Sequence, residues 1–238
     1  MGILLNGNKP SKIIYNGVET ALYYNGSKIW PEGDPYNPLN LPANTVRVRT
    51  SNGNVPVKKS STTYETATLV PGTTDVYDVY KSGTNFKNFL YQSTNVVEIL
   101  GANTTGITDM SYMFFSCSSL TSISLFDTSS VINMSYMFYS CTLLTTVPLF
   151  DTSSVINIYD IFDSCTSLTT VPLFDTSSVT NMSSMFYNCR NVQSGALALY
   201  QQASTQTTPP AHNSAFYRCG ANTTTGAAEL AQIPSGWK

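Results

Sequence analysis

Five cysteines, a single histidine and fourteen acids are the side chains with chemistry of their own in this 238-residue sequence. Cys117, Cys141, Cys165 and Cys189 lie 24 residues apart, and Cys219 follows after a longer step. Thiols can pair, ligate zinc or act as nucleophiles. Zinc is disfavoured because no C-x-x-C occurs and His212 is the one imidazole. An odd count argues against a complete disulfide framework. One cysteine in the same column of every 24-residue window reads instead as a buried row, where free Cys behaves as a small hydrophobe. Phe114, Phe138, Phe162 and Phe186 keep the same spacing and belong to that core. His212 sits in a Thr/Pro/Ala-rich segment with no matched nucleophile, and no Gly-x-Ser-x-Gly or phosphate loop is present. A non-enzyme without cofactor or metal is therefore expected. Paired-carboxylate hydrolysis stays open, since two acids can meet from anywhere in a chain.

Two further sets of columns point to recognition. Asp127, Asp151 and Asp175 recur in one column, and Asn133, Asn157 and Asn181 in another, with Asp109 before them. These side chains suit turn capping, with the Asn amides bonding backbone between windows. The alternative is a carboxylate row for cations or sugar hydroxyls. Acids about 5 Å apart repel, so that row would need calcium or solvent screening. Tyr112 and Tyr136 share a position later held by Asp160 and Ser184. Phe115, Tyr139 and Tyr187 share another, interrupted by Asp163 and continued by Tyr217. Positions that exchange an aromatic for Asp or Ser are expected on the surface. Exposed tyrosine amid little charge suits sugar or protein recognition.

What must position these columns is an internal repeat. The words Leu125-Phe-Asp-Thr-Ser-Ser-Val-Ile-Asn133 return unchanged at Leu149 and, with Thr180 for Ile, at Leu173. Met113, Met137, Ile161 and Met185, each followed by Phe, keep the same step. A degenerate copy precedes them at Phe89-Leu90, and another follows an insertion at Ala215-Phe216-Tyr217-Arg218-Cys219. A fixed period in the twenties marks a solenoid in which each unit is one coil. Within a coil, Leu144-Thr-Thr-Val147-Pro-Leu149 fits an L-x-x-L-x-L strand, and Asp151 to Ser154 fits a turn. Val155, Ile158, Ile161, Phe162 and Cys165 then follow at helix-like spacing. The expectation is a short extended piece and a helical turn, with one long helix as the rival. The fold class is thus an α/β, leucine-rich-repeat-like solenoid of 24-residue coils.

The flanks read differently. Residues 1–30 hold Asn-Gly pairs at Asn6, Asn16 and Asn25 between short β-prone runs, a small β-meander. Residues 31–43 are a Pro-rich linker. Residues 44–85 alternate as strands (45–49, 55–57 and 75–80) and are expected to cover the first coil of the solenoid at 86–192. Residues 193–238 form the other cap, with helical propensity at 195–203 and 226–232 and a last degenerate repeat.

The phrase F-D-T-S-S-V-x-N-M-x-x-M-F-x-x-C-x-x-L-T resembles the BspA-like leucine-rich-repeat family of bacterial surface and phage-encoded proteins, over about residues 86–192. It departs from ordinary leucine-rich repeats where Thr152 replaces their Asn or Cys. Ile14-Tyr-Asn-Gly17 with Tyr24 to Pro31 is similar to a segment heading phage minor structural proteins of Gram-positive hosts. That resemblance implies an attachment module, with Tyr15, Tyr24 and Trp30 meeting other virion proteins.

Only 11% of residues are charged and the formal net charge is −2, so nothing rewards nucleic acid or anionic membrane. No apolar run is long enough for a membrane span, and the opening residues lack a signal-peptide pattern. Adhesin-like composition without an export signal implies a virion protein assembled in host cytoplasm. It would be tail- or capsid-associated, and would present its repeats to a host-surface glycan or protein. A bacterial cell-surface or secreted adhesin is the alternative, and a glycan-cleaving or metal-dependent enzyme on a repeat scaffold the third. A homo-oligomer is compatible with all of them.

Overall fold

The computed structural model describes residues 40–58 and 63–238, together with the backbone of three strands before them. Those strands, β1 (Ser11–Tyr15), β2 (Val18–Tyr24) and β3 (Ser27–Trp30), form an antiparallel sheet in the order β1-β2-β3. Tyr15 pairs with Val18 and Tyr24 with Ser27. The Asn-Gly residues between them, and the side chains of Tyr15, Tyr24 and Trp30, lie outside the described residues.

A second sheet has the order β5-β6-β4-β7-β8, built from β4 (Thr45–Thr50), β5 (Thr66–Leu69), β6 (Val76–Tyr80), β7 (Val96–Asn103) and β8 (Ser122–Ile123). Alternation drives it: Val46, Val48 and Val79 are fully buried. The opposite face of β4 carries Arg47 and Arg49, each opposite an acid across the ladder. Arg47 holds Asp78 through two bonds of 2.6 and 2.8 Å, and Arg49 reaches Glu98 at 2.8 Å. Residues 55–57, expected as a strand, are not one. The buried Asn95 amide occupies their backbone instead, accepting from Val57 N–H at 2.8 Å and donating to the Val55 carbonyl at 2.9 Å.

The pairing changes sense at β7. It is antiparallel to β4 but parallel to β8, and from there every neighbour is a copy of the same window. Parallel bridges link Asn85, Asp109, Asn133, Asn157 and Asn181 in succession, then Ala211. Between them the backbone follows a strict alternation. The N–H groups of Met110, Tyr112, Phe114 and Ser116 donate to Asn133, Ser135, Met137 and Tyr139 in the next window, at 2.7 to 3.0 Å. Those of Met113, Phe115 and Cys117 donate back to Met110, Tyr112 and Phe114 in their own window. Every donor of the segment is satisfied, half by a turn and half by a neighbour.

This segment is a chain of reverse turns, not the expected helical turn. Tyr136 and Ser140 have φ of 59° and 54°, and their counterparts in every other window are also left-handed. A right-handed helix cannot contain such residues. The L-x-x-L-x-L stretch is likewise a strand only in the first two copies, at β7 and at β8. Ser124 there donates its N–H to Ile99 at 2.9 Å, whereas the corresponding Pro148 and Pro172 have no N–H to give. Phe150 and Phe174 turn back onto the proline carbonyls instead, at 3.0 Å.

Inside the windows the side chains form files. Rings of Phe114, Phe138, Phe162 and Phe186 are fully buried and stacked at 5.2 to 5.4 Å, and Phe216 continues the row at 6.1 Å. Thr128 and Thr152, buried at the turn, donate their hydroxyls to the Asp151 and Asp175 carbonyls of the next window at 2.8 Å.

The far end is closed by helices α1 (Ala196–Ser204) and α2 (Thr224–Gln232). Glu229 of α2 accepts from the Gly195 and Leu197 N–H groups at the start of α1, a carboxylate on a helix N-terminus. Gly195 has φ 98°, and a Cβ there would meet the Val171 carbonyl at 2.3 Å, so no other residue fits. The C-terminal tail then lays the Trp237 carbonyl against Phe216 N–H at 2.8 Å, adding a last rung.

Candidate functional site

Each window turns its chain sharply at two left-handed residues. The first left-handed position holds Asn88, Tyr112, Tyr136, Asp160, Ser184 and Ser214 in turn. Asn and Asp tolerate this conformation; a serine or a tyrosine there costs about 1–2 kcal/mol. Something offsets that cost at Tyr112 and Tyr136. Their rings stack at 4.5 Å, and Lys87 Nζ lies 5.9 Å from the Tyr112 centroid.

Three residues further on runs a second file. Tyr91, Phe115 and Tyr139 stack at 4.9 and 4.7 Å, the latter pair within 3° of parallel. Tyr187 and Tyr217 resume it at 4.7 Å, with Arg218 lying 5.2 Å from the Tyr217 ring. The two files touch, Tyr136 lying 5.9 Å from Tyr139 and 6.4 Å from Phe115. Together Tyr112, Phe115, Tyr136 and Tyr139 form a half-buried aromatic ridge across neighbouring windows. Because the rings cover one another, their edges and hydroxyls are presented and most of their faces are not.

The interruption falls in the window of Asp160 and Asp163. Both were expected on the surface; both are buried, at 6% and 9% exposure. The reason lies in the neighbours. Tyr159 stands where three other windows have Ser111, Ser135 and Ser183, and sets its ring edge-on to Tyr136 at 5.2 Å. Tyr159, Ser184 and Tyr136 surround the Asp160 carboxylate as hydrogen-bond partners. Ser164 donates to Asp163 at 2.6 Å. Burial, and then the charge of Asp163, lift the Asp160 carboxyl to about 6, despite those hydroxyls. Burial also raises Asp163, the phenol of Tyr136 (helped by Tyr159 and then Asp160) and that of Tyr139 (helped by Asp163 and then Asp160). Among the described residues no lysine or arginine forms an ion pair with either acid. The result is a carboxylate pair of low charge density at the foot of phenolic rings.

The other acids are occupied locally. Asp127 accepts from Ser129 N–H at 2.9 Å and its hydroxyl at 2.7 Å; Asp151 repeats this with Ser153 at 3.0 and 2.6 Å. Asp175 accepts from Ser177 N–H at 2.8 Å, which holds its carboxyl below the ordinary range. The Asn column acts within its own window, not between windows as expected. Asn133, Asn157 and Asn181 accept from the N–H two residues on, at 3.0 to 3.1 Å. Among the described residues no group of three or more His, Cys, Asp or Glu is placed to hold a metal ion.

The thiols of Cys117, Cys141, Cys165 and Cys189 are buried and donate to the carbonyls of Leu90, Phe114, Phe138 and Phe162 in the preceding window, at 2.9 to 3.1 Å. Burial raises every one, Cys117 to about 12. His212 Nδ1 donates to the Pro210 carbonyl at 2.7 Å while its ring stacks 3.8 Å from Trp237. Both are structural arrangements.

Sequence reasoning passed over Tyr91, Tyr159, Lys87 and the burial of Asp160 and Asp163. The signal for Tyr159 was present, as a lone aromatic in a serine column. Among the described residues no helix is long and apolar enough to cross a membrane. No curated protein and no solved structure matches the chain. Residues 75–200, more than half of its length, match one described family. The chain belongs to the family described as "Mycoplasma protein of unknown function, DUF285".

Proposed function

We propose that the windows form a leucine-rich-repeat-like solenoid of the BspA-like type, and that the chain is a non-enzymatic recognition protein using the aromatic ridge. One observation carries this reading: Tyr112 and Tyr136 occupy left-handed backbone where the other copies place Asn, Asp or Ser. Strained residues cluster where a function holds them. Stacking supplies rigid, amphipathic rings with little entropy left to lose on binding, as recognition surfaces do. The partner is a host-surface glycan or protein, met by the ring edges of the ridge.

The setting is a virion, where the N-terminal strands attach the protein to other particle components. The N-terminal phrase resembling phage minor structural proteins motivates this, and a bacterial surface adhesin is the second reading. Binding of labelled protein to host cells and to a glycan array tests the ridge. Tyr136→Asn with Tyr139→Ser abolishes binding if the reading is right, and unchanged binding overturns it. Mass spectrometry of purified virions tests the setting: the protein copurifies with capsid and tail components, or is found only in the cell-envelope fraction, which supports the adhesin.

A further inference from the structure

The 24-residue period fails once, and a cleft opens there. Asn181 bridges to Ala211, 30 residues on, so six extra residues enter the last window. Residues 205–210 rise as a wall opposite the turn at 177–180, enclosing about 540 Å³. That is within the range of small-ligand sites, roughly 300–1,000 Å³.

The wall is fixed before any ligand arrives. Gln206 Nε2 donates to the Thr176 carbonyl at 2.9 Å and its hydroxyl at 2.7 Å. Gln202 Nε2 donates to the Phe174 carbonyl at 2.9 Å. Ala211 N–H ties the far end to the Thr180 carbonyl at 2.8 Å, and His212 holds the Pro210 carbonyl. Two consecutive prolines, Pro209 and Pro210, stiffen the wall further. A site prepared in this way loses little entropy on binding.

Its lining selects the chemistry. Ser and Thr hydroxyls and one amide dominate; Val179 and the proline rings add flat apolar patches; no ionisable side chain lines it. The Thr207 and Thr208 hydroxyls make no hydrogen bond among the described residues. A charged ligand would lose hydration without a counter-charge, and a purely apolar one would strand the hydroxyls. A sugar presents hydroxyls on its rim and C–H groups on its faces, matching both parts of the lining.

We propose that this cleft is a binding site for an uncharged saccharide of one or two rings. It shares no residue with the aromatic ridge, and rests on the proposed function only in taking the chain as a recognition protein. The test titrates the full chain, amide-labelled for NMR, with maltose, cellobiose, diacetylchitobiose and lactose, and with a sulfated disaccharide. At least one neutral sugar should shift the amides of Ser178, Thr207 and Thr208. Thr207→Val with Thr208→Val, which removes hydroxyls but not volume, should weaken that binding about tenfold. Tyr136→Asn with Tyr139→Ser should leave it unchanged, so loss of cell binding by that variant and loss of sugar binding by the valine variant are separate results. The proposal is overturned if no neutral sugar moves those amides, if the valine variant binds as well as the native chain, or if the sulfated sugar binds best.

Discussion

Phe138 and Tyr139 are neighbours in sequence and belong to opposite regimes. Phe138 is fully buried between Phe114 and Phe162, in a file that holds Phe from Phe114 to Phe216. Tyr139 is half-buried in a file that changes from Phe115 to Asp163 to Tyr187. Both files are spaced by the same backbone ladder. The inner one is constrained by packing density, since a missing ring there leaves a void. The outer one is half-buried, and carries tyrosine, phenylalanine or aspartate without loss of register. Packing thus fixes Phe138 and leaves Tyr139, its neighbour in the same turn, open to exchange.

That separation can be broken at four points, from the largest effect down. Phe138→Ala should cost about 3–5 kcal/mol, read from denaturant unfolding, because it leaves a cavity in the middle of a stacked row. Thr152→Val should cost about 0.5–1.5 kcal/mol by the same measurement, since it removes the bond from the buried Thr152 hydroxyl to the Asp175 carbonyl at 2.8 Å.

The Asp160 pair offers a third test, through pH. Its carboxyl sits at 3.8 when unperturbed and about 6 in the fold. Between those values the folded chain binds more protons than the unfolded one. Its contribution is therefore fully present below about 4 and is lost as pH rises through about 6. The thermal midpoint should fall across that window, with Asp163 acting in the same direction. Asp160→Asn should flatten the profile; an equally steep fall in that variant would show that other groups control it.

The smallest effect on stability is the sharpest on function. Tyr136→Asn relieves about 1–2 kcal/mol of left-handed strain and loses about 0.5–1.5 kcal/mol of ring stacking. Calorimetry should find the midpoint within a few degrees of the native one. Cell binding by the same sample should fall at least tenfold. A large loss of stability would move Tyr136 into the structural regime.

Much of this was legible in the sequence, for identifiable reasons. The period is written in repeated words, and the row of Cys and Phe follows because an inner column accepts few residue types. The capping of Ser153 by Asp151 follows from a short acid two residues before a free N–H. The turn conformation did not follow. Val155, Ile158, Phe162 and Cys165 sit at spacings that a helix also produces, and no glycine marks the left-handed positions at Tyr136 and Ser140. Nor did the burial of Asp160 and Asp163, because Tyr136, Tyr159 and Ser184 reach it from three different windows or positions. A column read alone cannot show what neighbouring columns lean over it. The cleft at 205–210 escaped for a similar reason: an insertion is visible, but the wall it builds depends on where Gln206 finds Thr176.

The account depends on windows that stack in register as exchangeable units. Deleting residues 133–156, one whole period, tests this most directly. The shortened chain should unfold cooperatively and keep its far-ultraviolet spectrum, while a deletion of half a period destroys both. If removal of the whole period is as damaging as removal of half, the windows are not interchangeable rungs and the register account is wrong.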